Sequence, residues 1–272
     1  MKGWTMGLVA IFGGGVMGEA LLSGLLRSGR LPGDLVVTER RPERAKELQA
    51  TYGIAVVSNV EAAETADTLI FVVKPQDMGT LCSEITGAMR SGALVVSLAA
   101  GITTEFLESA LPQGSAVVRV MPNTPALVDQ GMAAIAAGAH CDERHLLEAE
   151  SLLRAVGKVV RVEEKHLDAV TAISGSGPAY VFYVAEAMIE AGVFLGLPRA
   201  MASELVVQTF YGAATMLRDT GEHPSVLREN VTSPGGTTVA ALRILDDHKV
   251  RAAFIAALEA ARDRSHELAS GQ

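Results

Sequence analysis

The amino-acid sequence predicts an α/β protein: an N-terminal, doubly wound, mostly parallel sheet followed by an all-helical C-terminal part. Three observations predict this fold. Apolar, β-branched runs alternate with helix-like segments in the first half, a glycine-rich turn follows the first run, and long helical segments follow residue 164. Strands that are apolar throughout are typical of parallel sheets covered on both faces. The 272 residues suffice for two domains, which we place at 1–163 and 164–272.

Apolar runs of four or five residues mark the predicted strands, and segments with helical periodicity lie between them. We predict strands at residues 8–12, 35–38, 54–57, 69–73, 94–98 and 117–120, with additional strands at 133–137 and 159–162. We predict helices at residues 19–28, 43–51, 60–65, 78–89, 104–110 and 143–155.

The second half contains three long helical segments, at residues 179–195, 199–219 and 250–268, which Gly-Leu-Pro and Thr-Gly-Glu-His-Pro breaks help to delimit. The first is apolar on most of its circumference and so needs burial on all sides. A domain of about a hundred residues has too little interior for several such helices, so we expect a homodimer or a larger assembly. Glu186 and Glu190 argue against a membrane span in this region.

The composition excludes several classes of partner. A formal net charge of -8 argues against binding to nucleic acid or to an anionic membrane. The apolar run at residues 2–12 resembles a short signal peptide, but a triple glycine ends it and no cleavage site follows. We therefore expect a cytoplasmic protein with Cys82 and Cys141 as reduced thiols. The histidines show no metal-ligand spacing, and we expect no metal.

The glycine-rich turn has the pattern G-x-G-x-x-G between the first strand and the first helix. Its glycines permit the tight turn, the close approach of a pyrophosphate and the packing of helix on strand. The free N–H groups at the start of the helix then face the phosphates. The sequence therefore predicts a Rossmann-like dinucleotide-binding domain whose cofactor lies against Gly13, Gly14, Gly15, Val16, Met17 and Gly18.

The choice of cofactor depends on the residues after the second strand. Glu39, 21 positions beyond Gly18, suits a ribose 2′-hydroxyl and thus NADH. Arg40, Arg41 and Arg44 follow, and arginines there suit the 2′-phosphate of NADPH, although Arg41 and Arg44 could also be a solvated charge run. The two signals conflict; we favour NADPH, with NADH also usable.

Three motifs follow successive strands, at the edge where open α/β sheets bind ligands. They are Val73-Lys74-Pro75, Ala99-Ala100-Gly101 and Met121-Pro122-Asn123-Thr124-Pro125. Their small residues would let a nicotinamide ring lie close to the backbone. Lys74 could pair with the cofactor or could simply be solvated.

Two further motifs lie in the helical half. Ser174-Gly175-Ser176-Gly177-Pro178 suits a helix start, with Pro178 in the first turn and the serines as caps, and Ser176 is a candidate substrate contact. Ser233-Pro234-Gly235-Gly236-Thr237-Thr238 precedes a helix from about residue 239. Its two glycines allow a nest of N–H groups, for which a substrate carboxylate is the natural ligand.

These motifs together closely resemble those of the pyrroline-5-carboxylate reductase family, along nearly the whole chain. The Ser-Pro-Gly-Gly-Thr-Thr motif with Ala240-Ala241-Leu242 is specific to that family, whereas the glycine turn is widely shared. The resemblance implies that a cyclic imine, 1-pyrroline-5-carboxylate, is reduced to L-proline by hydride transfer from NADPH or NADH. It also implies a domain-exchanged homodimer, often assembled into larger rings such as a decamer, with active sites shared between subunits.

By this resemblance, Asn59, Lys74, Pro75, Ala99 and Ala100 contact the cofactor, as we also expect of Val73 and Asn123. Glu164, Asn230, Gly236, Thr237 and Thr238 line the pyrroline pocket, beside Ser233 and Gly235. Thr238 is our candidate for hydrogen bonding to the ring nitrogen. Two positions depart from the family pattern, both bearing on cofactor choice: Val16-Met17-Gly18 stands where Asn-Met-Ala is frequent, and Glu39 where a neutral residue is frequent.

Two alternatives compete with this interpretation. A β-hydroxyacid or 6-phosphogluconate-type dehydrogenase needs a catalytic lysine on a helix of its second domain. Beyond Lys158 this chain has only Lys165 and Lys249, neither in a suitable motif. A non-catalytic protein that senses a dinucleotide is the other alternative.

Overall fold

The computed structural model describes residues 7–270, and an eight-stranded sheet forms its centre. Strands β1 to β6 are parallel, β7 is antiparallel to β6, and β8 is parallel to β7. The spatial order is β3-β2-β1-β4-β5-β6-β7-β8. The strands are β1 Val9–Phe12, β2 Leu35–Thr38, β3 Ala55–Val56, β4 Thr68–Phe71, β5 Leu94–Ser97, β6 Ala116–Met121, β7 Gly131–Ala137 and β8 Gly157–Arg161.

Twelve α-helices lie within the described residues, and short 3₁₀ turns join several of them to the strands. They are α1 Val16–Arg27, α2 Pro42–Tyr52, α3 Asn59–Thr65, α4 Met78–Ile85, α5 Thr104–Ala110, α6 Glu143–Leu153, α7 Leu167–Val170, α8 Gly177–Phe194, α9 Arg199–Thr220, α10 Pro224–Asn230, α11 Thr237–Asp247 and α12 Val250–Ser270. The predicted fold class, a mostly parallel Rossmann-like sheet followed by helices, is confirmed.

Both faces of the sheet are buried, because successive residues of a strand point to opposite faces. In β1, Val9 and Ile11 belong to one core cluster, whereas Ala10 and Phe12 belong to the other. Four neighbouring strands of the sheet, β2, β1, β4 and β5, consist entirely of buried residues. The strand order reverses between β1 and β4, and such a switch point is where open α/β sheets bind their ligands.

Most predicted elements agree with the structure to within a few residues, and β2 and α5 have the predicted bounds. Two boundaries were wrong in a way that concerns the ligand edge. Strand β4 ends at Phe71 and β5 at Ser97, so the segments before Pro75 and Ala99 are loops. Helix α4 also ends at Ile85, four residues earlier than predicted.

Two helical segments were not predicted. Helix α10 follows the His-Pro pair, which we interpreted only as a break; Pro224 opens the helix, and the His223 ring accepts a hydrogen bond from the N–H of Ser225. Helix α7 continues as a π-helical turn at Thr171–Gly175, immediately before α8. The serine-glycine motif is therefore part of a nearly continuous helical path.

The chain forms two compact units. The sheet unit comprises the described residues up to Ser176 together with those from Ala261 onward, and the helical unit comprises Gly177–Ala260. The end of α12 thus packs within the sheet unit, where the Ser265 hydroxyl donates a 2.7 Å hydrogen bond to Asp168. The boundary between residues 163 and 164 stays a prediction.

None of the helices within residues 7–270 has the length and hydropathy needed to cross a bilayer. Of the segment that resembles a signal peptide, residues 2–6 lie outside the described part of the chain. Cys82 and Cys141 are not disulfide-bonded, as expected, and burial raises the pKa of the Cys82 thiol to about 11.

Candidate active site

The glycine turn connects β1 to α1 in the geometry that the sequence predicts. Gly13 has a φ of +113° and donates a 3.0 Å hydrogen bond to the carbonyl oxygen of Thr38 on β2. Gly18 packs so tightly that an added Cβ would collide with the carbonyl oxygen of Gly13. The first turn of α1 is therefore held against the end of β1, and only glycine fits at this contact.

The space beside Gly15 decides whether this turn has room for a pyrophosphate. Gly15 is the extended residue before α1, and a Cβ built on it has no described atom within 4 Å. Within the described residues, no side chain caps the start of α1. The turn therefore offers open space next to the positive end of a helix, which is the arrangement that binds phosphate groups. Gly14 is buried behind this space, and Val16 is exposed beside it.

Glu39 follows β2 and lies against the glycine turn. Its side chain is only 8% exposed, and a Cβ built on Gly14 would lie 3.2 Å from its Oε2. Arg41 donates three hydrogen bonds to this carboxylate, from its backbone N–H at 2.9 Å, from Nε at 3.0 Å and from Nη2 at 3.1 Å. The hydrogen bonds from Arg41 hold the pKa of Glu39 below its ordinary value, although partial burial opposes them.

The other two arginines of this segment have different partners. Arg40 is mostly exposed, and its Nη2 lies 2.8 Å from Asp77. The Arg44 side chain is 17% exposed, so it is not part of a solvated charge run. Its Nε donates to the carbonyl oxygen of Gly14 at 3.0 Å, and its Nη groups pair with Glu19 of α1 and Glu47 of α2. Arg44 therefore fastens α2 to the glycine turn.

A cleft of about 340 Å³ opens at the carboxyl ends of the central strands, entirely within the sheet unit. It brings together four of the motifs that the sequence singled out, namely those containing Pro75, Ala99 with Ala100, Met121, and Ser176. The cleft is not lined by Lys74, which is exposed. The remaining lining residues are Gly101, Arg119, Val120, Leu167, Thr171, Ala261, Arg264, Ser265 and Leu268.

Glu164 lies beside this cleft in a network that sequence reasoning missed. Its carboxylate accepts hydrogen bonds from the N–H of Thr104 at 2.9 Å, from the Thr104 hydroxyl at 2.5 Å and from Nη1 of Arg119 at 2.9 Å. Burial raises the pKa of Glu164, but the bonds from Thr104 and Arg119 outweigh it and leave the pKa below its ordinary value. A signal existed: Arg119 is the one charged residue in β6, and a buried charge needs a partner.

Asn123 connects two of the motifs. Its Nδ2 donates a 3.1 Å hydrogen bond to the carbonyl oxygen of Ser174, and its Oδ1 accepts one of 2.8 Å from the N–H of Met132. The side chain thus holds the π-helical turn against β7. Ser174 does not cap α8, because its hydroxyl donates back to Val170 at 3.3 Å. A contact between Asn123 and the cofactor stays a prediction.

Four further predicted site residues do not line the cleft. Asn59, at the start of α3, donates a 2.8 Å hydrogen bond to Glu84, so its amide faces α4 in this structure. Val73 and Met17 are partly buried and pack against the two core clusters. Lys74 precedes the 3₁₀ turn at Pro75–Asp77.

The serine-glycine-threonine motif of the helical unit forms the turn before α11. Gly235 has a φ of +71°, and the N–H of Gly236 donates a 3.0 Å hydrogen bond to the carbonyl oxygen of Ser233. Helix α11 starts at Thr237, two residues earlier than predicted, so Thr238 belongs to its first turn. Asn230, the last residue of α10, is exposed nearby in sequence. No described side chain caps the start of α11, and an anion site there stays a prediction.

Comparison with known proteins agrees with this geometry. Residues 164–268 match the family model for pyrroline-5-carboxylate reductase dimerisation, and residues 8–101 match that for coenzyme F420-dependent NADP oxidoreductases. The pyrroline-5-carboxylate reductases of Corynebacterium melassecola and Escherichia coli are 49% and 40% identical to the chain. The former alignment covers 97% of this chain and 99% of the relative, and the latter covers 96% and 97%.

Solved structures give the same result. A pyrroline-5-carboxylate reductase from Coxiella burnetii has a TM-score of 0.93 at 37% identity, covering 97% of this chain and 99% of that one. The pyrroline carboxylate reductase of Plasmodium falciparum, solved with NADP bound, has a TM-score of 0.87 at 29% identity, covering 98% and 100%. Sequence, fold and site motifs thus agree, and the chain belongs to the pyrroline-5-carboxylate reductase family.

Proposed function

We propose that the chain reduces 1-pyrroline-5-carboxylate to L-proline, the last step of proline biosynthesis, with NADPH as its preferred reductant and NADH as a usable one. The observation that carries this proposal is the 49% identity to a reductase of this name over 97% of the chain. The open space at Gly15 and the cleft at the strand ends support the proposal, because such a reaction needs binding surfaces for a dinucleotide and a small substrate.

The cofactor would lie along the carboxyl edge of the sheet. The turn from Gly13 to Gly18 would bind the pyrophosphate at the start of α1. When bound, the reduced nicotinamide supplies the hydride. Ala99, Ala100 and Pro75 line the cleft, and their short side chains would let an aromatic ring lie close to the backbone. Asn59, Val73, Lys74 and Asn123 would complete the binding surface.

The substrate would be held by groups of different kinds, which the resemblance to the family assigns to two subunits. The turn at Gly235-Gly236 and the first turn of α11 would bind the carboxylate of the imine through backbone N–H groups. Thr237, Asn230 and Ser233 would lie beside it, and Thr238 would hydrogen bond to the ring nitrogen. Glu164, ionised by its bonds from Thr104 and Arg119, would favour the protonated imine, with Ser176 at the cleft wall.

Orientation would provide most of the rate acceleration. A protonated imine is already a strong electrophile, so these residues need to supply little acid catalysis. Holding two reacting carbons near contact distance contributes about 7–11 kcal/mol in favourable cases. The roles of Thr238 and of the Gly235-Gly236 turn are therefore to bind and orient the ring rather than to transfer a proton.

The working assembly would be a homodimer in which the helical unit of one subunit completes the site of the other. The matched dimerisation region and the exposed apolar side chains of α8 and α9 support this arrangement. A larger ring such as a decamer would be built from these dimers. We expect the enzyme to act in the cytoplasm on its small-molecule substrate, without a nucleic acid or a membrane as partner.

The decisive experiment mixes the purified chain with 1-pyrroline-5-carboxylate and NADPH and follows the loss of NADPH absorbance. Consumption of NADPH with formation of L-proline supports the proposal. A dinucleotide-sensing protein would bind NADPH without consuming it, and a β-hydroxyacid dehydrogenase would turn over only hydroxyacids. Either of these results would refute the proposed function.

Thr238 provides a test within the proposed mechanism. Thr238→Ala removes the hydroxyl that would hold the ring nitrogen, so kcat/KM for the imine should fall about tenfold or more, while NADPH binding persists. Thr238→Ser keeps a hydroxyl and should recover most of the loss. Unchanged kinetics in the alanine variant would remove Thr238 from the mechanism.

A further inference from the structure

The guanidinium of Arg41 is arranged to bind one anion while it already holds another. Its Nε and Nη2 donate to the two oxygens of Glu39 at 3.0 and 3.1 Å. A guanidinium has five N–H donors, so this pair leaves Nη1 and the outer hydrogen of Nη2 directed away from Glu39. The Arg41 side chain is 67% exposed, whereas that of Glu39 is 8% exposed. The acid is thus covered and the arginine faces outward.

This pair lies where the adenosine ribose of a dinucleotide would be recognised, beside Gly14 at the end of β2. An uncovered acid at this position accepts hydrogen bonds from the ribose 2′-hydroxyl and repels a 2′-phosphate. Here the two-point bond to Arg41 satisfies the acid internally. The presence of Glu39 therefore does not by itself select NADH.

We propose that Arg41 determines the cofactor preference of this chain, by masking Glu39 and by offering its outward N–H groups to the 2′-phosphate of NADPH. The proposal rests on the proposed function, because it assumes that the glycine turn binds a nicotinamide dinucleotide. It assigns to Glu39 a positioning role, in which the carboxylate fixes the plane of the guanidinium.

The neighbouring arginines are less suited to this role. Arg44 is mostly buried and is already bonded to Gly14, Glu19 and Glu47, so its movement would release α2 from the turn. Arg40 pairs with Asp77, the last residue of the 3₁₀ turn at Pro75–Asp77, and has no bond to Glu39 among the described contacts. Only Arg41 combines contact with the acid and an exposed guanidinium.

The test uses the full-length protein and measures the affinity of two cofactor fragments by calorimetry. The fragments are 2′,5′-ADP, which carries the 2′-phosphate, and 5′-AMP, which carries a free 2′-hydroxyl. Arg41→Ala should lower the affinity for 2′,5′-ADP by about tenfold or more, because a charge-assisted contact is lost and the unmasked carboxylate of Glu39 faces the phosphate. The affinity for 5′-AMP should stay the same or increase.

A second variant separates masking from simple charge. In Glu39→Gln with Arg41→Ala, the repelling acid is absent, so the affinity for 2′,5′-ADP should recover by about threefold or more from that of Arg41→Ala alone. Arg27→Ala is the matched control. Arg27 makes a similar fork to Asp129, with Nε at 3.0 Å and Nη2 at 2.6 Å, and neither residue has a described contact with Glu39. This control should leave both affinities unchanged.

Two results would overturn the proposal. The first is an Arg41→Ala variant that keeps the wild-type ratio of the two affinities. The second is an Arg40→Ala variant, with Arg41 intact, that no longer prefers 2′,5′-ADP. The imine assay on the same preparations separates this failure from that of the proposed function. Wild-type protein that binds neither fragment and consumes no NADPH refutes the function itself. Wild-type turnover with an unchanged ratio in Arg41→Ala refutes only the role of Arg41.

Discussion

The carboxylate of Glu164 makes the stability of the fold depend on pH. It accepts hydrogen bonds from Thr104 and from Arg119, whose side chain is mostly buried in β6. These bonds lower the pKa of Glu164 in the folded protein below its ordinary value of 4.5. A depressed carboxyl pKa stabilises the fold at pH values above the ordinary one, and this contribution disappears as the pH falls through the folded-state pKa.

Substituting Glu164→Gln should therefore change the pH dependence of stability. At neutral pH the variant should be less stable by about 1–3 kcal/mol, because the charge of Arg119 loses its partner. Its stability should then fall less steeply than that of the wild type as the pH decreases below 4.5. Denaturant titrations at a series of pH values measure both effects. If the stability of the variant decreased below pH 4.5 as steeply as that of the wild type, this account would be contradicted.

Glu163→Gln is the matched control for that experiment. Glu163 is the sequence neighbour of Glu164, but its side chain is exposed and pairs with Lys165 at 2.6 Å. Exposed pairs contribute little to stability. The control should therefore be as stable as the wild type at neutral pH, and its stability should decrease at low pH nearly as much as that of the wild type.

At this scale the sequence identified residue types better than residue partners. Glu39 and the arginines after it were singled out by spacing, yet the bond between Glu39 and Arg41 depends on side-chain rotamers that no spacing rule describes. Arg119 was not singled out, because its partner Glu164 lies 45 residues away. Position along a strand shows that such a charge needs a partner but does not show which one.

The turn from β1 to α1 illustrates what an element requires from each of its glycines. At Gly18 an added Cβ would meet the backbone of Gly13, whereas at Gly15 it would enter open space. Gly15 also has φ -72° and ψ -172°, which any residue can adopt. One glycine is thus required by the fold and the other by the ligand that we propose.

Two alanine substitutions should separate these requirements. In Gly15→Ala, the free energy of unfolding should stay within about 1 kcal/mol of the wild-type value. The variant should bind NADPH about tenfold or more weakly, because its methyl group takes the space of the pyrophosphate. Gly18→Ala should lose about 1–3 kcal/mol of stability, because the start of α1 must move away from β1. Thermal unfolding and calorimetric titration with NADPH measure the two effects. Full NADPH affinity in Gly15→Ala would place the pyrophosphate elsewhere.

Elements that depend on local patterns were predictable, and those that depend on distant contacts were not. Apolar runs bounded by polar or glycine-rich segments located all eight strands. The π-helical turn at Thr171–Gly175 was missed, because the serine-glycine motif was interpreted as the start of the helix that follows it. In the structure this turn is held by the Asn123 amide, which donates to Ser174 from 51 residues away. Helix α10 was missed because proline often follows the end of a helix, whereas Pro224 lies in the first turn of one, a position that also suits proline.

On the scale of the whole molecule, the helical unit leaves much of its apolar surface uncovered. Phe194 is 92% exposed, and Phe182, Tyr183 and Tyr211 are also mostly exposed. None of the residues of α8 is buried in the single chain. The sequence predicted that these helices need burial on all sides, and the match to a dimerisation region gives the same answer. An apolar surface of this extent is typical of an interface between subunits.

The wild-type chain should therefore be a dimer or a larger assembly at micromolar concentration, as measured by light scattering after size exclusion. Phe182→Glu places a charge on this surface and should weaken the association about a hundredfold or more, since it removes buried apolar area from both subunits. Leu31→Glu is the matched control, because Leu31 has the same 67% exposure as Phe182 but lies in the sheet unit. It should leave the dimer intact. A wild-type monomer, or equal effects of the two substitutions, would show that the exposed helices have another role, and the shared active site would then lack its second subunit.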